Sequence, residues 1–223
     1  MILDDNIEEY TPDIQLTDKE VFTKIWLSPR EVFQFIEDKK YEKYLPYLLI
    51  LGGISNAFDN AASKCFGDSM SLLMVIGVCI FVGGVLGWIS FYIYAALMSW
   101  TGKWIKGHAD TASLLRMTAH SMVPAIAALV LLIPQIAIGG NTIFQSTIEM
   151  ADMSMLETII FYSVLCIELV LGMWTLVLFV IGISVVQKFS IGKAILNMIL
   201  PALVIIIPLA AIAFILGDIF GRP

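Results

Sequence analysis

One carboxylate lies in a stretch of sequence that otherwise suits lipid. Glu168 is the only charged residue in the run "YSVLCIELVLGMWTLVLFV", residues 162–180. A charged side chain inside a bilayer is costly unless it is neutralised or paired. Because no Lys or Arg lies at its depth in any predicted span, we expect Glu168 to be protonated at neutral pH. A protonated Glu168 suits one of two roles. It either belongs to a proton or cation site, or it makes a hydrogen bond that joins two helices.

Three other polar residues are predicted to reach a similar depth. Asn56 and Asp59 lie in the outer half of the first predicted span and share a helical face. Gln135 lies about 18 Å from the inner end of the third span, and Glu168 about 16 Å from the outer end of the fourth. We therefore predict an intramembrane polar cluster of Glu168, Asp59, Asn56 and Gln135. Since polar residues often serve packing in such bundles, we favour a packing role over a proton or cation site.

The elements that position this cluster are membrane-spanning helices. The chain has 223 residues, of which 59% are hydrophobic and 14% charged, whereas a soluble domain has about 25% charged residues. Five runs approach the ~20 residues that cross a bilayer: residues 44–62, 72–98, 123–139, 158–186 and 195–216. We predict an all-α polytopic bundle with five transmembrane helices and two cytoplasmic-side amphipathic helices. Its regions are a cytoplasmic tail with an amphipathic helix (1–43), a membrane domain (44–216) and a short external tail (217–223).

The first amphipathic helix follows an N-terminal stretch, residues 1–24, that we expect to be loosely ordered. In "LSPREVFQFIEDKK", Ser28 is a favourable N-cap, Pro29 suits the first helical position and Glu31 completes a capping-box pattern. Val32, Phe33, Phe35 and Ile36 form one apolar face. This face would be buried equally by the membrane surface or by the inner end of the bundle, so both placements remain open.

The second amphipathic helix is predicted over residues 111–122, with Asp110 or Thr111 as its cap. Ser113, Arg116 and His120 recur at spacings of three and four residues, which places them on one cytoplasmic polar face.

A pair of small residues in the second span indicates close helix packing. Gly83 and Gly87 form a G-x-x-x-G pattern, which lets helix backbones approach one another. We favour packing inside the bundle over a dimer contact.

Signatures of catalysis and of metal binding are weak or absent in the sequence. His108, Asp110 and His120 lack a third strong ligand at helical spacing, so no metal site is expected. The string "SIGKA" departs from the phosphate-binding loop, and neither G-x-S-x-G nor H-E-x-x-H occurs. We expect no enzyme activity, no cofactor and no nucleic-acid partner.

The distribution of basic residues predicts the orientation. Of the 13 Lys and Arg residues, eleven lie on the side of the N-terminus and two, Lys64 and Arg222, on the other. The positive-inside rule places the N-terminus in the cytoplasm and the C-terminus outside. Trp100 and Trp104, beside Lys103 and Lys106, mark the cytoplasmic interface.

Three stretches together resemble the Yip family, the Ypt/Rab-GTPase-interacting membrane proteins, and its prokaryotic members more closely. They are "KIWLSPREVFQFI", "TASLLRMTAHSMVP" and "WTLVLFVIGISVVQKFSIGKAILNMILP", the last being the most specific through Trp174, Gly182, Lys193, Ala194 and Pro201. The resemblance implies five spans and a cytoplasmic N-terminus, which agrees with the charge count.

These observations favour a Yip-like, non-catalytic protein that organises the membrane or holds a protein partner. The alternative is a small transporter or channel that uses Glu168 and the polar stripe of the first span. The expected location is the cytoplasmic (inner) membrane, or an endomembrane in a eukaryotic cell. The expected partners are the bilayer and a membrane or cytoplasmic protein, and a second copy of the chain is left open.

Overall fold

The computed structural model describes residues 14–147 and 154–220, and for residues 213–220 it describes the backbone alone. Its helices are α1 (Asp18–Lys24), α2 (Pro29–Asp38), α3 (Leu45–Ser63), α4 (Leu72–Trp104), α5 (Thr111–Ser121), α6 (Val123–Ala128), α7 (Leu132–Gly139), α8 (Met155–Val186) and α9 (Ile191–Phe220). Two short 3₁₀ helices follow α3 and α7, at Phe66–Asp68 and Gly140–Phe144. No strand occurs in the described ranges, which confirms the predicted all-α bundle. Residues 217–220 of the predicted external tail belong to α9, whereas residues 221–223, with Arg222, lie outside these ranges.

Four helical segments of the described chain are long and apolar enough to cross a membrane. They are α4, the segment Thr111–Phe144 that contains α5, α6 and α7, then α8, and residues Ile191–Ile212 of α9. Helix α3 is not among them because Asn56, Asp59 and Asn60 lower its hydropathy. With 19 residues it is nevertheless about 28 Å long, close to the ~30 Å of a bilayer core. The count of five spans stays a prediction.

Helices α1, α2 and α5 form a layer at one end of the bundle, which we call the cap layer. Val32, Phe33 and Ile36 of α2 are fully buried, in one core with Met117 of α5 and Leu178 of α8. The structure thus docks the apolar face of α2 on the bundle, which is one of the two placements that the sequence left open. The apolar face finds protein to cover it, and a buried Phe or Ile contributes roughly 1.5–3 kcal/mol. The predicted boundary at residues 43/44 is therefore not a break in packing.

Part of the N-terminal stretch expected to be loosely ordered is a helix. The side chain of Thr17 accepts a hydrogen bond from the backbone N–H of Glu20, and the Glu20 carboxylate accepts one from the backbone N–H of Thr17. This capping box starts α1 and brings Val21 fully into the core. Residues 1–13 lie outside the described residues.

The capping box predicted for α2 does not form. The helix begins at Pro29 with Ser28 as N-cap, but the Ser28 side chain makes no capping hydrogen bond. Glu31 instead accepts a hydrogen bond from Nζ of Lys24 at 2.9 Å. A cation from α1 thus replaces the backbone N–H as the partner of Glu31, and this pair ties α1 to α2.

The glycine pair of α4 packs against α3. A Cβ atom built on Gly83 would lie 2.7 Å from Cβ of Ala57 and 2.8 Å from the carbonyl oxygen of Gly53. A Cβ atom on Gly53 would lie 2.9 Å from Cα of Gly87. The two backbones meet where only glycine fits, and this contact fixes α3 along α4.

Candidate functional site

Glu168 lies beside Gln135, and a break in the third span positions that glutamine. Helix α6 ends at Ala128 and α7 starts at Leu132, with Pro134 in the first turn of α7. A proline is tolerated in a first helical turn, where its missing N–H costs no helical hydrogen bond. Gln135 is 7% exposed, and its Nε2 donates to Oε2 of Glu168 at 2.7 Å. This hydrogen bond connects α7 to α8.

Two small cavities meet at this carboxylate. One has a volume of about 120 Å³ and the other of about 160 Å³, and both are bordered by Asp59 and Glu168. The rest of their walls is mostly apolar, with Phe58 and Leu132 shared by both. The nearby Ser55 hydroxyl donates to the carbonyl of Ala125 at 3.1 Å, which holds α3 against α6. The arrangement places two carboxylates and one amide around spaces large enough for a few water molecules.

Asn56 does not belong to this cluster, and its predicted place there is wrong. Its side-chain oxygen accepts a hydrogen bond from Nδ2 of Asn60 at 2.7 Å. Asn56 and Asn60 border a different groove, between α3 and α4. A three-residue step turns a helix by about 300°, so Asn56 lies on the flank of α3 next to the Asp59 face.

The predicted polar face of α5 is buried rather than open to the cytoplasm. Ser113, Arg116 and His120 are 5%, 4% and 0% exposed. Nη1 of Arg116 donates to Glu42 at 2.9 Å, and Nη2 donates to the Ser113 hydroxyl at 3.0 Å. The Ser113 hydroxyl in turn donates to Glu37 at 2.9 Å. The face is covered because the carboxylates of α2 and of the segment after it supply its partners.

His120 is enclosed by rings and by its own helix. Its Nδ1 lies 2.8 Å from the carbonyl oxygen of Arg116, and Nε2 is buried without a hydrogen bond to any residue that the structure describes. The rings of Phe22 and Tyr41 lie with their centroids 6.5 and 5.9 Å away. His120 thus packs at the junction of α1, α5 and the segment after α2.

A second polar junction joins α1 to that same segment. The carboxylate of Asp18 accepts hydrogen bonds from Lys43, Tyr41 and Tyr44. These bonds, that of Lys43 foremost, hold the pKa of Asp18 below its ordinary value. Burial, followed by the hydrogen bond to Asp18, raises the pKa of Tyr41 well above its ordinary value. Asp110, as predicted, caps α5 by accepting from the N–H of Ser113 at 2.7 Å, which lowers the pKa of Asp110.

An amide network at the cap-layer end of the bundle was not predicted from the sequence. Gln187 and Asn197 are fully buried. Oε1 of Gln187 accepts from the backbone N–H of Ala109 at 3.0 Å, and Nε2 donates to Asn197 at 3.2 Å. Asn197 donates to the carbonyl of Met98 and to the Thr101 hydroxyl. The network fastens the loop after α4 to α8 and α9, and its one sequence signal is amides in otherwise apolar helices.

The fold is that of an α-helical, multi-pass membrane protein, with long apolar helices, a helical cap layer and a polar cluster between α3, α7 and α8. A family model, the Yip1 domain, matches residues 23–212. The chain therefore belongs to the Yip family. No curated protein and no solved structure matches it.

The residues matched by the family model include the contact between the cap layer and α8. The match includes α2, α5 and the whole of α8. A Cβ atom on Gly182 of α8 would lie 2.6 Å from Sδ of Met117 and 3.2 Å from Cζ of Phe33. Gly182, one of the residues that carried the resemblance, leaves room for the side chains of both α5 and α2.

Two substitutions of Glu168 are expected to test whether the native side chain is a neutral hydrogen-bonding group. Glu168→Gln keeps an acceptor for Gln135 and should leave the free energy of unfolding nearly unchanged. Glu168→Leu leaves the buried Nε2 of Gln135 without a partner and should cost about 1–3 kcal/mol. Thermal unfolding in detergent would rank the two variants. Equal damage by Gln and Leu would contradict a neutral Glu168 whose role is its hydrogen bond with Gln135.

Proposed function

We propose that the protein is a non-catalytic membrane scaffold whose cap layer holds a cytoplasmic protein partner. The observation that carries this proposal is the fixed position of the cap layer. Its apolar face lies in the bundle core, and the ion pairs of Arg116 with Glu37 and Glu42 join it to the segment that leads into α3. A surface held in this way is preorganised, which lowers the entropic cost of binding.

The groove between α2 and the end of α8 is the surface that we assign to the partner. Its volume of about 530 Å³ exceeds that of either cavity at Glu168. Its charged rim includes Arg30, Asp38 and Lys188, and Phe189 adds an aromatic wall. Charges of both signs beside an aromatic ring suit a polar protein segment better than a uniformly anionic lipid surface.

Photo-cross-linking in cells tests this assignment. A photoreactive amino acid at Gln34, which borders the groove, should give a discrete protein adduct. The matched control is Lys19, which is exposed on α1 in the same layer. Lys188→Glu should weaken the Gln34 adduct. Identical patterns from Gln34 and Lys19, or no adduct from either, would contradict the proposal.

The cavities at Glu168 favour a second candidate, a small transporter for protons or cations. Where the cap layer meets α8, however, the core contains the fully buried side chains of Leu114, Met117, Leu178 and Ile183. This filling supports the scaffold. Proteoliposomes with a pH-sensitive dye inside should therefore show no proton flux above that of empty vesicles. Flux abolished by Glu168→Gln would establish the transporter instead.

The location that we propose is the cell membrane, with the cap layer in the cytoplasm and the C-terminus outside. The eleven-to-two asymmetry of basic residues supports it, as do Trp100 and Trp104, whose rings pack 4.9 Å apart at the end of α4. We expect reporters active only in the cytoplasm to function at the N-terminus and to fail at the C-terminus. If the reporters function at both ends, the chain crosses the membrane an even number of times. In that case α3 is not a fifth membrane-spanning helix.

A further inference from the structure

The outward flank of α3 carries hydrogen-bonding groups without partners. Asn56 is exposed on the surface of the bundle, although it lies 11 residues into a helix of 19. Nδ2 of Asn60 donates to both the carbonyl and the side-chain oxygen of Asn56. This leaves Nδ2 of Asn56 and Oδ1 of Asn60 without a hydrogen bond to any residue that the structure describes. In the span that we predict for α3 these groups face hydrocarbon, which is unfavourable because lipid tails offer them neither donor nor acceptor.

These amides lie in a groove suited to close approach by another helix. The groove has a volume of about 240 Å³ and runs between α3 and α4. Its floor is the buried contact between Gly53 and Gly83, and the partly exposed Ala57 and Gly87 keep it shallow. Val82 and Leu86 stand exposed at its side. Small residues beside a polar group are typical of helix–helix contacts in membranes.

We infer that a second copy of this chain occupies this groove and forms a two-fold symmetric dimer through α3 and α4. An amide carries both a donor and an acceptor, so it is complementary to the same amide of another copy. Two copies in one membrane have the same orientation, and a two-fold axis normal to the bilayer brings their Asn56 residues to the same depth. Each Asn56 then donates its free Nδ2–H to an amide oxygen across the axis, as paired asparagines do in two-stranded coiled coils. The exposed Val82 and Leu86 of each copy pack at the edges of the contact.

This dimer is independent of the proposed partner site. The groove of the cap layer is bordered by α2 and α8, whereas the dimer surface belongs to α3 and α4. Either assignment can therefore fail without the other.

Disulfide cross-linking in native membranes tests the dimer. Cys65, Cys79 and Cys166 are first replaced by alanine, and Asn56→Cys is then introduced alone. Because position 56 faces its own copy, oxidation should give a covalent dimer. Ile206→Cys is the matched control, since this residue is 58% exposed on α9 and should remain monomeric.

A second measurement needs no cysteine at the contact. Copies labelled at Ile206→Cys with donor and acceptor dyes should show energy transfer in liposomes, which dilution with lipid removes. Asn56→Leu should raise the dissociation constant about eightfold, because the symmetric pair loses two hydrogen bonds. Absence of energy transfer at high protein density, or an unchanged dissociation constant in Asn56→Leu, would overturn the inference. If lipid or a helix of another protein fills the groove instead, no energy transfer will be seen.

Discussion

Replacing Glu37 and Glu42 together by leucine is expected to destabilise the protein by about 3–5 kcal/mol. Arg116 is 4% exposed, and these two carboxylates are its ion-pair partners in the described chain. Removing them leaves a buried guanidinium with Asp110 as a more distant anion, and an uncompensated buried charge carries a cost of this size. The free energy of unfolding, measured by titration with a denaturing detergent, would show the loss.

Two further variants make this expectation specific. Adding Arg116→Met to the double variant removes the stranded charge and should restore most of the stability, because apolar replacement of a whole buried ion pair is often nearly neutral. Glu31→Gln, which breaks the exposed pair with Lys24, should cost no more than about 1 kcal/mol. If the triple variant were as unstable as the double, packing rather than charge would explain the effect.

Gly83→Ala is expected to cost about 1–3 kcal/mol, the usual cost of overpacking a close contact. Its new methyl group would meet Cβ of Ala57 and the backbone of Gly53, and a backbone atom cannot move aside as a flexible side chain can. The two helices would separate along their whole contact. Thermal unfolding in detergent would measure the loss.

Gly77 provides the matched control for this substitution. It lies in the same helix, and a Cβ atom there meets nothing within 4 Å. Gly77→Ala should therefore be neutral or should stabilise α4 slightly, because alanine has the higher helix propensity. Equal stability of the two alanine variants would disprove the close approach of α3 and α4.

The sequence was sufficient for the long apolar helices and for three of the four residues of the polar cluster, Glu168, Asp59 and Gln135. Long apolar runs report membrane helices directly, and the similar depths of Gln135 and Glu168 in their spans predicted that the two side chains lie together, as they do in the structure. Asn56 was misplaced because a spacing of three or four residues fixes a face only to within about 60–40°. In a crowded bundle that angle decides which neighbour a side chain meets.

The cap layer could not be derived from local patterns alone. An apolar face on α2 requires burial, but the sequence does not say whether lipid or protein covers it. The face of Ser113, Arg116 and His120 was predicted to be open to the cytoplasm because the partners of Ser113 and Arg116, Glu37 and Glu42, are more than 70 residues away in the chain. The Thr17–Glu20 capping box, in contrast, was visible as T-x-x-E and was overlooked within a polar stretch.

The fixed position of the cap layer is the central claim, and a distance measurement between spin labels tests it most directly. Gln34→Cys and Lys188→Cys, in a chain without other cysteines, would label two exposed residues on either side of one groove. In lipid nanodiscs, pulsed electron resonance should give a single, narrow and short distance distribution. A broad or long distribution would show that α2 leaves the bundle for the membrane surface, which would contradict the scaffold account.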